Sequence, residues 1–216
     1  MTEQGLRPRM LTLYGRPNSL NVQKAMWAIG ELGLAHQRID IGRGHREEGD
    51  QPWFRALNPN ATVPVLVDGE RAVWESNAVV RYLAAQYAPG GLWPKDPGVR
   101  SEADRWMDWQ QTVLLPAFNP AFWQLIRTPA EKRDLDLVAR CEAAADRAFS
   151  LLDQVLEGRA FIAGTRLTMG DIPLGVCAYR WYQLPIRRAA VPNVQAWYVR
   201  LCGRPAFRQH VMVPLS

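Results

Sequence analysis

The chain has 216 residues, 48% hydrophobic and 22% charged, a balance that fits one large or two small globular cores. No run approaches the ~18 apolar residues needed to span a bilayer, and residues 1–9 carry no apolar signal core, which argues against a membrane or secreted protein. The net charge of +5 and pI of about 9.4 would suit an anionic partner, but the basic residues are scattered and Arg187-Arg188 is the longest pure run, so no nucleic-acid patch is expected.

In chain order, residues 1–9 read as a disordered lead-in and residues 10–14 as a first strand. Gly15-Arg16-Pro17-Asn18 is turn chemistry, and Ser19 or Asn21 can cap the helix that follows. Val22, Ala25, Met26, Ile29 and Leu32 lie at helical spacing, and Gly33 is a plausible stop. Residues 36–41 predict a second strand, and residues 42–51, polar and glycine-bearing, a loop or irregular helix. Val65-Leu66-Val67 and Arg71-Ala72-Val73-Trp74 predict a hairpin around Asp68-Gly69. A helix over 76–87 buries Val79, Val80 and Leu83. The order βαβ, hairpin, helix is a thioredoxin-like layout with a parallel pair and a helical crossover, spanning residues 10–87.

Residues 88–98, rich in Pro and Gly, mark a linker, and residues 99–216 read as an all-helical domain. A helix from 99 to 115 is expected to end or kink at Pro116 and Pro120. Thr128-Pro129-Ala130-Glu131 has the residues of a capping box and predicts a helix running to Gly158. Thr168-Met169-Gly170-Asp171 is a second such box, flanked by Leu167 and Ile172 for a hydrophobic staple. The last helix is expected over 194–201.

The most specific stretch is Asn60-Ala61-Thr62-Val63-Pro64-Val65-Leu66-Val67-Asp68-Gly69, followed by Trp74-Glu75-Ser76-Asn77. Pro64 cannot donate to a sheet ladder, so it belongs at a strand start or an edge, and X-Pro is the one bond where a cis form is cheap. The N–H and C=O of Val63 are candidates to pair with an extended peptide. The cysteines Cys141, Cys177 and Cys202 are far apart and form no CxxC, which argues for a reducing, cytoplasmic setting. With only three histidines, a metal site has little to draw on.

Taken in order, the strand-turn-helix opening, the Val-Pro loop, the Glu-Ser helix start, the linker and the helical half resemble the cytosolic glutathione transferase family over nearly the whole chain. The stretch from Phe161 to Asp171 is similar to that family's folding motif. The resemblance implies an α/β thioredoxin-like domain followed by an all-α bundle, with glutathione as co-substrate. It places Ser19 at the zeta-class serine and Asn21 at the beta-class cysteine site, and the nu class is most similar at these two positions. A hydroxyl or amide N–H aimed at sulfur stabilises thiolate over thiol, helped by the positive end of the helix. The alternative is that Ser19 or Asn21 merely caps.

The resemblance further implies that Glu75 pairs with the γ-glutamyl ammonium and that Ser76 takes the γ-glutamyl carboxylate. Thr62, Val63 and Pro64 would hold the middle of the tripeptide, and His45, Arg46 and Gln51 are candidates for its glycyl carboxylate. Trp106, Trp109, Phe118 and Trp123 could wall the pocket for a second, apolar substrate, or simply pack between helices. Tyr14 lies on the strand and reads as a core or wall residue. No cysteine lies at the first helix start, so the reactive thiol is expected to be glutathione's. Conjugation to a carbon electrophile is expected ahead of disulfide reduction at the same site. A non-catalytic, partner-binding member of the fold is the competing class. The family is usually dimeric, and a homodimer is expected.

Overall fold

The computed structural model of the chain describes residues 10–42 and 51–216. Four strands, β1 (Leu11–Tyr14), β2 (His36–Ile39), β3 (Val65–Asp68) and β4 (Arg71–Trp74), form one sheet in the order β2-β1-β3-β4. β1 and β2 are parallel, Leu11 opposite His36, and are joined by helix α1 (Leu20–Glu31). β3 runs antiparallel to β1 and forms a hairpin with β4, Val65 opposite Trp74. This is the thioredoxin-like arrangement expected from the βαβ-hairpin order. The two-residue period divides the sheet faces: Leu11, Leu13 and Leu66 enter the main core, whereas Val65 joins Ile41 and Phe54 in a smaller one. Tyr14 packs into that smaller core, its ring 5.5 Å from Trp53 and 6.0 Å from Phe54. Helix α2 (Pro52–Leu57), not foreseen, supplies those rings, with Pro52 in its first turn. The second strand stops at Ile39, two residues earlier than expected, and residues 43–50 of the expected loop lie outside the described residues.

Val22, Ala25, Met26, Ile29 and Leu32 stand at helical spacing in α1, which predicts one buried face. Instead Gln23, Lys24, Trp27 and Ala28 are as buried as Val22, Ala25, Met26 and Ile29. The reason is the second half of the chain, whose helices cover the face a lone domain would leave to water. Gly33 (φ +60) ends the helix as expected: its N–H reaches Gly30 O and that of Leu34 reaches Ile29 O, the paired bonds of a left-handed cap. Helix α3 (Ser76–Tyr87) begins as expected and buries Val79, Val80 and Leu83.

After the linker, α4 (Pro97–Trp109) starts two residues before the expected point, because the Asp96 side chain accepts from Val99 N–H. The prolines do not end this rod. A wide turn over Gln110–Leu114, in which Leu115 N–H bonds Gln110 O five residues back, leads into α5 (Leu115–Phe122). Pro116 thereby falls in a first turn, where no N–H is missed. A second wide turn covers Trp123–Arg127. The expected capping box at Thr128 does not form either. The Thr128 hydroxyl donates back to Trp123 O, Ala130–Lys132 makes one tight turn, and Asp134 caps the long helix α6 (Leu135–Val155) through Leu137 N–H. Asp134 outcompetes Thr128 because it is the residue directly preceding the apolar periodicity. α7 (Asp171–Gln183), α8 (Pro192–Cys202) and a short α9 (Pro205–His210), the last unforeseen, complete the fold.

Two buried polar centres hold these parts in register. At the start of α7, the Asp171 carboxylate accepts from Ile162 N–H and Trp197 Nε1–H at 2.9 Å each, and from Thr168 N–H (2.9 Å) and the Thr168 hydroxyl (3.2 Å). It ties the Phe161–Asp171 stretch to α8, and Gly170 must be glycine because a Cβ there would lie 2.6 Å from Ala103 O of α4. At the domain junction, the fully buried Lys24 ammonium donates to Gln110 Oε1 (2.9 Å), Ser76 Oγ (3.4 Å) and Gln111 Oε1 (3.4 Å). Gln110 in turn donates to Cys177 Sγ at 3.2 Å, so one chain of contacts spans α1, α3, the wide turn and α7.

Replacing Asp171 by Ala strands three buried N–H donors, each worth about 1–3 kcal/mol, so a loss of roughly 3–5 kcal/mol is expected in urea unfolding. A loss under about 1 kcal/mol would contradict the role given to this carboxylate. Burial lowers the Lys24 pKa from 10.5 to about 8. Above pH 8 the unfolded chain therefore holds a proton that the folded protein has released, and stability rises with pH. Cys177, pushed up by burial from 9.0 to about 11, acts in the opposite sense above pH 9, so the rise shows between pH 8 and 9. Lys24→Met should abolish this rise of up to about 1 kcal/mol, and an unchanged pH slope in the variant would refute it.

Candidate functional site

The carboxyl end of β1, the first turn of α1, the Val63-Pro64 loop and the start of α3 meet at one edge of the sheet. Gly15 (φ +141) lets this happen: a Cβ there would lie 2.4 Å from Val22 Cγ2 and 3.1 Å from Val63 Cβ. The backbone of Gly15 and Arg16 is fastened to β2 and its extension by bonds to Ile39 O (2.8 Å) and Ile41 O (3.3 Å). The Val63-Pro64 peptide is cis. Asn58 braces the loop by donating to Thr62 O (2.8 Å) and Thr62 Oγ1 (3.2 Å), which leaves Thr62 exposed and Pro64 buried. Among the described residues, no hydrogen bond engages the Val63 N–H or C=O.

Ser19 occupies the capping position of α1, yet its side chain makes no cap bond. Its carbonyl accepts from Gln23 N–H, and its N–H donates to Arg16 O. Asn21 holds a buried Oδ1 with no hydrogen-bond partner. Both side chains line a cavity of about 180 Å³ whose other walls include Trp123, Arg16, Arg127 and Arg180. The geometry therefore departs from plain capping: neither polar side chain at this helix start is spent on the helix. Ser19, Leu20 and Asn21, at the positive end of α1, all line this cavity.

Glu75 is exposed and has φ +65 and ψ 114, a backbone conformation that costs a non-glycine residue about 1–3 kcal/mol. It precedes Ser76, which is buried and bonded by Lys24. Gln51 is exposed at the cap of α2. His45 and Arg46 lie outside the described residues. Of the four aromatic residues singled out in the helical half, the structure brings Trp123 alone to the cavity with Ser19 and Asn21. Phe118 is fully buried in the core and does not line it. Trp106 is buried, its Nε1 unpartnered, and meets Trp109 edge-to-face at 5.1 Å. Trp109 itself lines a different groove, with Thr112, Val113 and Leu151.

Sequence reasoning passed over the charged walls. Arg180 is 3% exposed and its Nη2 donates to Asn18 O at 2.6 Å, pinning the turn that presents Ser19. Burial pushes its pKa down to about 10, and repulsion by Arg127 and Arg16 works in the same direction. A lone arginine inside the apolar run of α7, and a lone lysine inside that of α1, were the available signals. The thiols are elsewhere: burial raises the pKa of Cys141, Cys177 and Cys202, and none lines the cavity. Among the described residues no three His, Cys, Asp or Glu side chains gather as metal ligands, and no helix is long and apolar enough to cross a membrane.

Comparison with known proteins agrees with this architecture. The family model described as glutathione S-transferase, N-terminal domain, matches residues 13–91, and that for the C-terminal domain matches residues 110–205. Glutathione S-transferase GstB of Escherichia coli K12 is 40% identical over 96% of this chain and all of its own length. Glutathione S-transferase 3 of Zea mays is 30% identical over 95% of each chain. Among solved structures, the theta-class glutathione S-transferase of Xanthomonas axonopodis pv. citri, crystallised with glutathione bound, is 44% identical, with a TM-score of 0.92 over 96% of this chain and all of that one. With both family domains matched in order around the Ser19 cavity, the chain belongs to the glutathione S-transferase family.

Proposed function

We propose that this protein is a glutathione transferase in which Ser19 and Asn21 hold the glutathione sulfur as thiolate for attack on a small electrophile. The observation that carries this reading is the pair of uncommitted polar side chains at the start of α1: a capping serine without a cap bond, and an asparagine whose side chain is unbonded, so that its amide N–H is available to donate to sulfur. A free thiol has a pKa near ~8.5 and is mostly protonated at neutral pH. Moving it down by one to two pH units takes about 1.4–2.8 kcal/mol. One charge-assisted hydrogen bond at a helix N-terminus supplies an amount of that order, about 1.5–3 kcal/mol.

In this reading the extended tripeptide pairs with the open N–H and C=O of Val63, between Thr62 and Pro64. Glu75 takes the γ-glutamyl ammonium, and the Ser76 end of α3 takes the γ-glutamyl carboxylate, with the Lys24 ammonium behind it adding positive potential. Gln51, Arg46 and His45 are the candidates for the glycyl end. The thiol proton leaves to solvent. The thiolate then forms the C–S bond while the leaving group departs with its electron pair. We place the protein in the cytoplasm as a homodimer, with glutathione as co-substrate and without a metal, a nucleic acid or a membrane as partner. Attack on a disulfide uses the same sulfur, and the cationic cavity wall favours keeping that second reading, because the second glutathione it requires is an anion.

Asn21→Ala should lower turnover about ten- to a hundredfold while changing the glutathione KM little, as measured by steady-state conjugation kinetics. Unchanged turnover would remove Asn21 from the mechanism. Glu75→Gln should do the reverse, raising the glutathione KM with kcat nearly kept. A fall in kcat alone would contradict its assignment to the ammonium.

A further inference from the structure

The wall of the Ser19 cavity carries Arg16, Arg127 and Arg180 and, among the described residues that line it, no Asp or Glu. Arg180 is the telling member. It is 3% exposed, its Nη2 is bonded only to neutral oxygens, Asn18 O and Gln23 Oε1 (3.4 Å), and its Nε is buried without a partner. The other charges acting on it are those of Arg127 and Arg16, together with Cys177 and Tyr179, which are both neutral at pH 7. A guanidinium taken out of water without a facing carboxylate is costly, and the usual remedy is an anion. Arg127 stacks on Trp123, 4.3 Å from the ring centroid, and on Phe122 at 4.9 Å, while Arg180 covers Phe122 at 4.8 Å. Aromatic faces and guanidinium edges thus alternate along one wall. Arg127 already donates to an oxygen of the chain itself, Ser216 O, at 3.1 and 3.3 Å, and Ser216 also meets Asn18. An incoming anion would compete for that place.

We propose that the second substrate of this protein bears an anionic group, a carboxylate or its equivalent, which Arg127 and Arg180 receive while its unsaturated or aromatic body lies against Trp123 and Phe122. The inference rests on the glutathione transferase reading and refines it: the sequence pattern pointed to an apolar acceptor, whereas this wall selects an acidic one. Arg127 and Arg180 are specificity-determining residues in this account, and the reacting sulfur remains with Ser19 and Asn21. In a conjugation the thiolate attacks the carbon bearing the leaving group, the C–S bond forms, and chloride departs with the bonding pair. In a disulfide exchange the thiolate attacks one sulfur, the S–S bond breaks, and the second sulfur leaves as thiolate.

The test uses the full chain and two matched acceptor pairs. One is 4-chloro-3-nitrobenzoate against 4-chloro-3-nitrobenzamide, and the other is 3,3′-dithiodipropionate against 2-hydroxyethyl disulfide. The readout is the ratio of kcat/KM, acid over neutral. A ratio of about tenfold or more in either pair, reduced about tenfold by Arg127→Gln, is the expected result. Arg180→Lys keeps a buried cation for the fold while losing the planar fork, and it should lower the same ratio. Ratios near one in both pairs, with glutathione-dependent turnover intact, would overturn the proposal and leave the transferase reading standing. A parallel loss on acid and neutral acceptors in Arg127→Gln would also overturn it, assigning the arginine to the thiolate or to glutathione's own carboxylates. No glutathione-dependent turnover of any of the four probes would refute the transferase reading and this inference with it.

Discussion

The structure depends on helix α1 being enclosed on every side. The sheet and α3 cover one face, and α7 and α9 cover the other, leaving no solvent stripe along residues 22–29. Gly175 of α7 permits that closeness, since a Cβ there would stand 2.7 Å from both the Trp27 ring and Leu201. A helix so clamped cannot tilt without disturbing both halves of the molecule. Its start, where Ser19 and Asn21 are half-buried between buried Leu20 and Val22, is therefore presented at a fixed place, and those two residues inherit that rigidity. The bidentate pair between Arg204 and Glu31 (2.7 and 2.5 Å) anchors the opposite end, with Trp27 Nε1 donating to the same carboxylate at 2.8 Å.

The electrostatics follow from the same enclosure. Two cations, Lys24 and Arg180, are buried within reach of each other's field, and the group their charges share is Cys177, a thiol that burial keeps protonated at neutral pH. Neither is paired with a buried carboxylate. Interior cations with no carboxylate in hydrogen-bond contact, Lys24 feeling only the exposed Glu75, cost stability in the empty protein and strengthen its hold on anions. Glutathione carries more negative than positive charge, so a basic interior beside the Ser19 cavity is consistent with both the overall charge of +5 and the proposed reading of that cavity. The cost of Lys24 is spread over Gln110, Gln111 and Ser76, which explains why polar residues occur in the wide turn after α4.

What could be read from the sequence was whatever local chemistry determines. Val63-Pro64, the Asp68-Gly69 hairpin, the stop at Gly33 and the Glu75-Ser76 helix start depend on neighbours a few residues away, and each stands where the pattern placed it. Asp171 was legible as a cap but not as a hub, because Trp197 and Ile162 reach it only through the fold. Pro116 did not end the rod because the wide turn over Gln110–Leu114 comes first and resets the ladder by one residue, while Pro120 sits inside α5, just before the second wide turn at Trp123–Arg127. Thr128 misled because its local box competes with Asp134, which lies closer to the apolar stripe. Ser19 and Asn21, expected at the site from resemblance to known helix starts, both line the cavity. Arg127, Arg180 and Lys24 could not be foreseen in this way, since their meaning comes from partners 50 to 160 residues away rather than from spacing.

The proposed role of the start of α1 is to convert bound glutathione to its thiolate. A pH titration of thiolate absorbance with glutathione bound to the protein tests it most directly. The account predicts a thiol pKa about one to two pH units below that of free glutathione. Tight binding with an unshifted pKa would contradict it and leave a glutathione carrier, and no binding at all would leave the fold as a partner module.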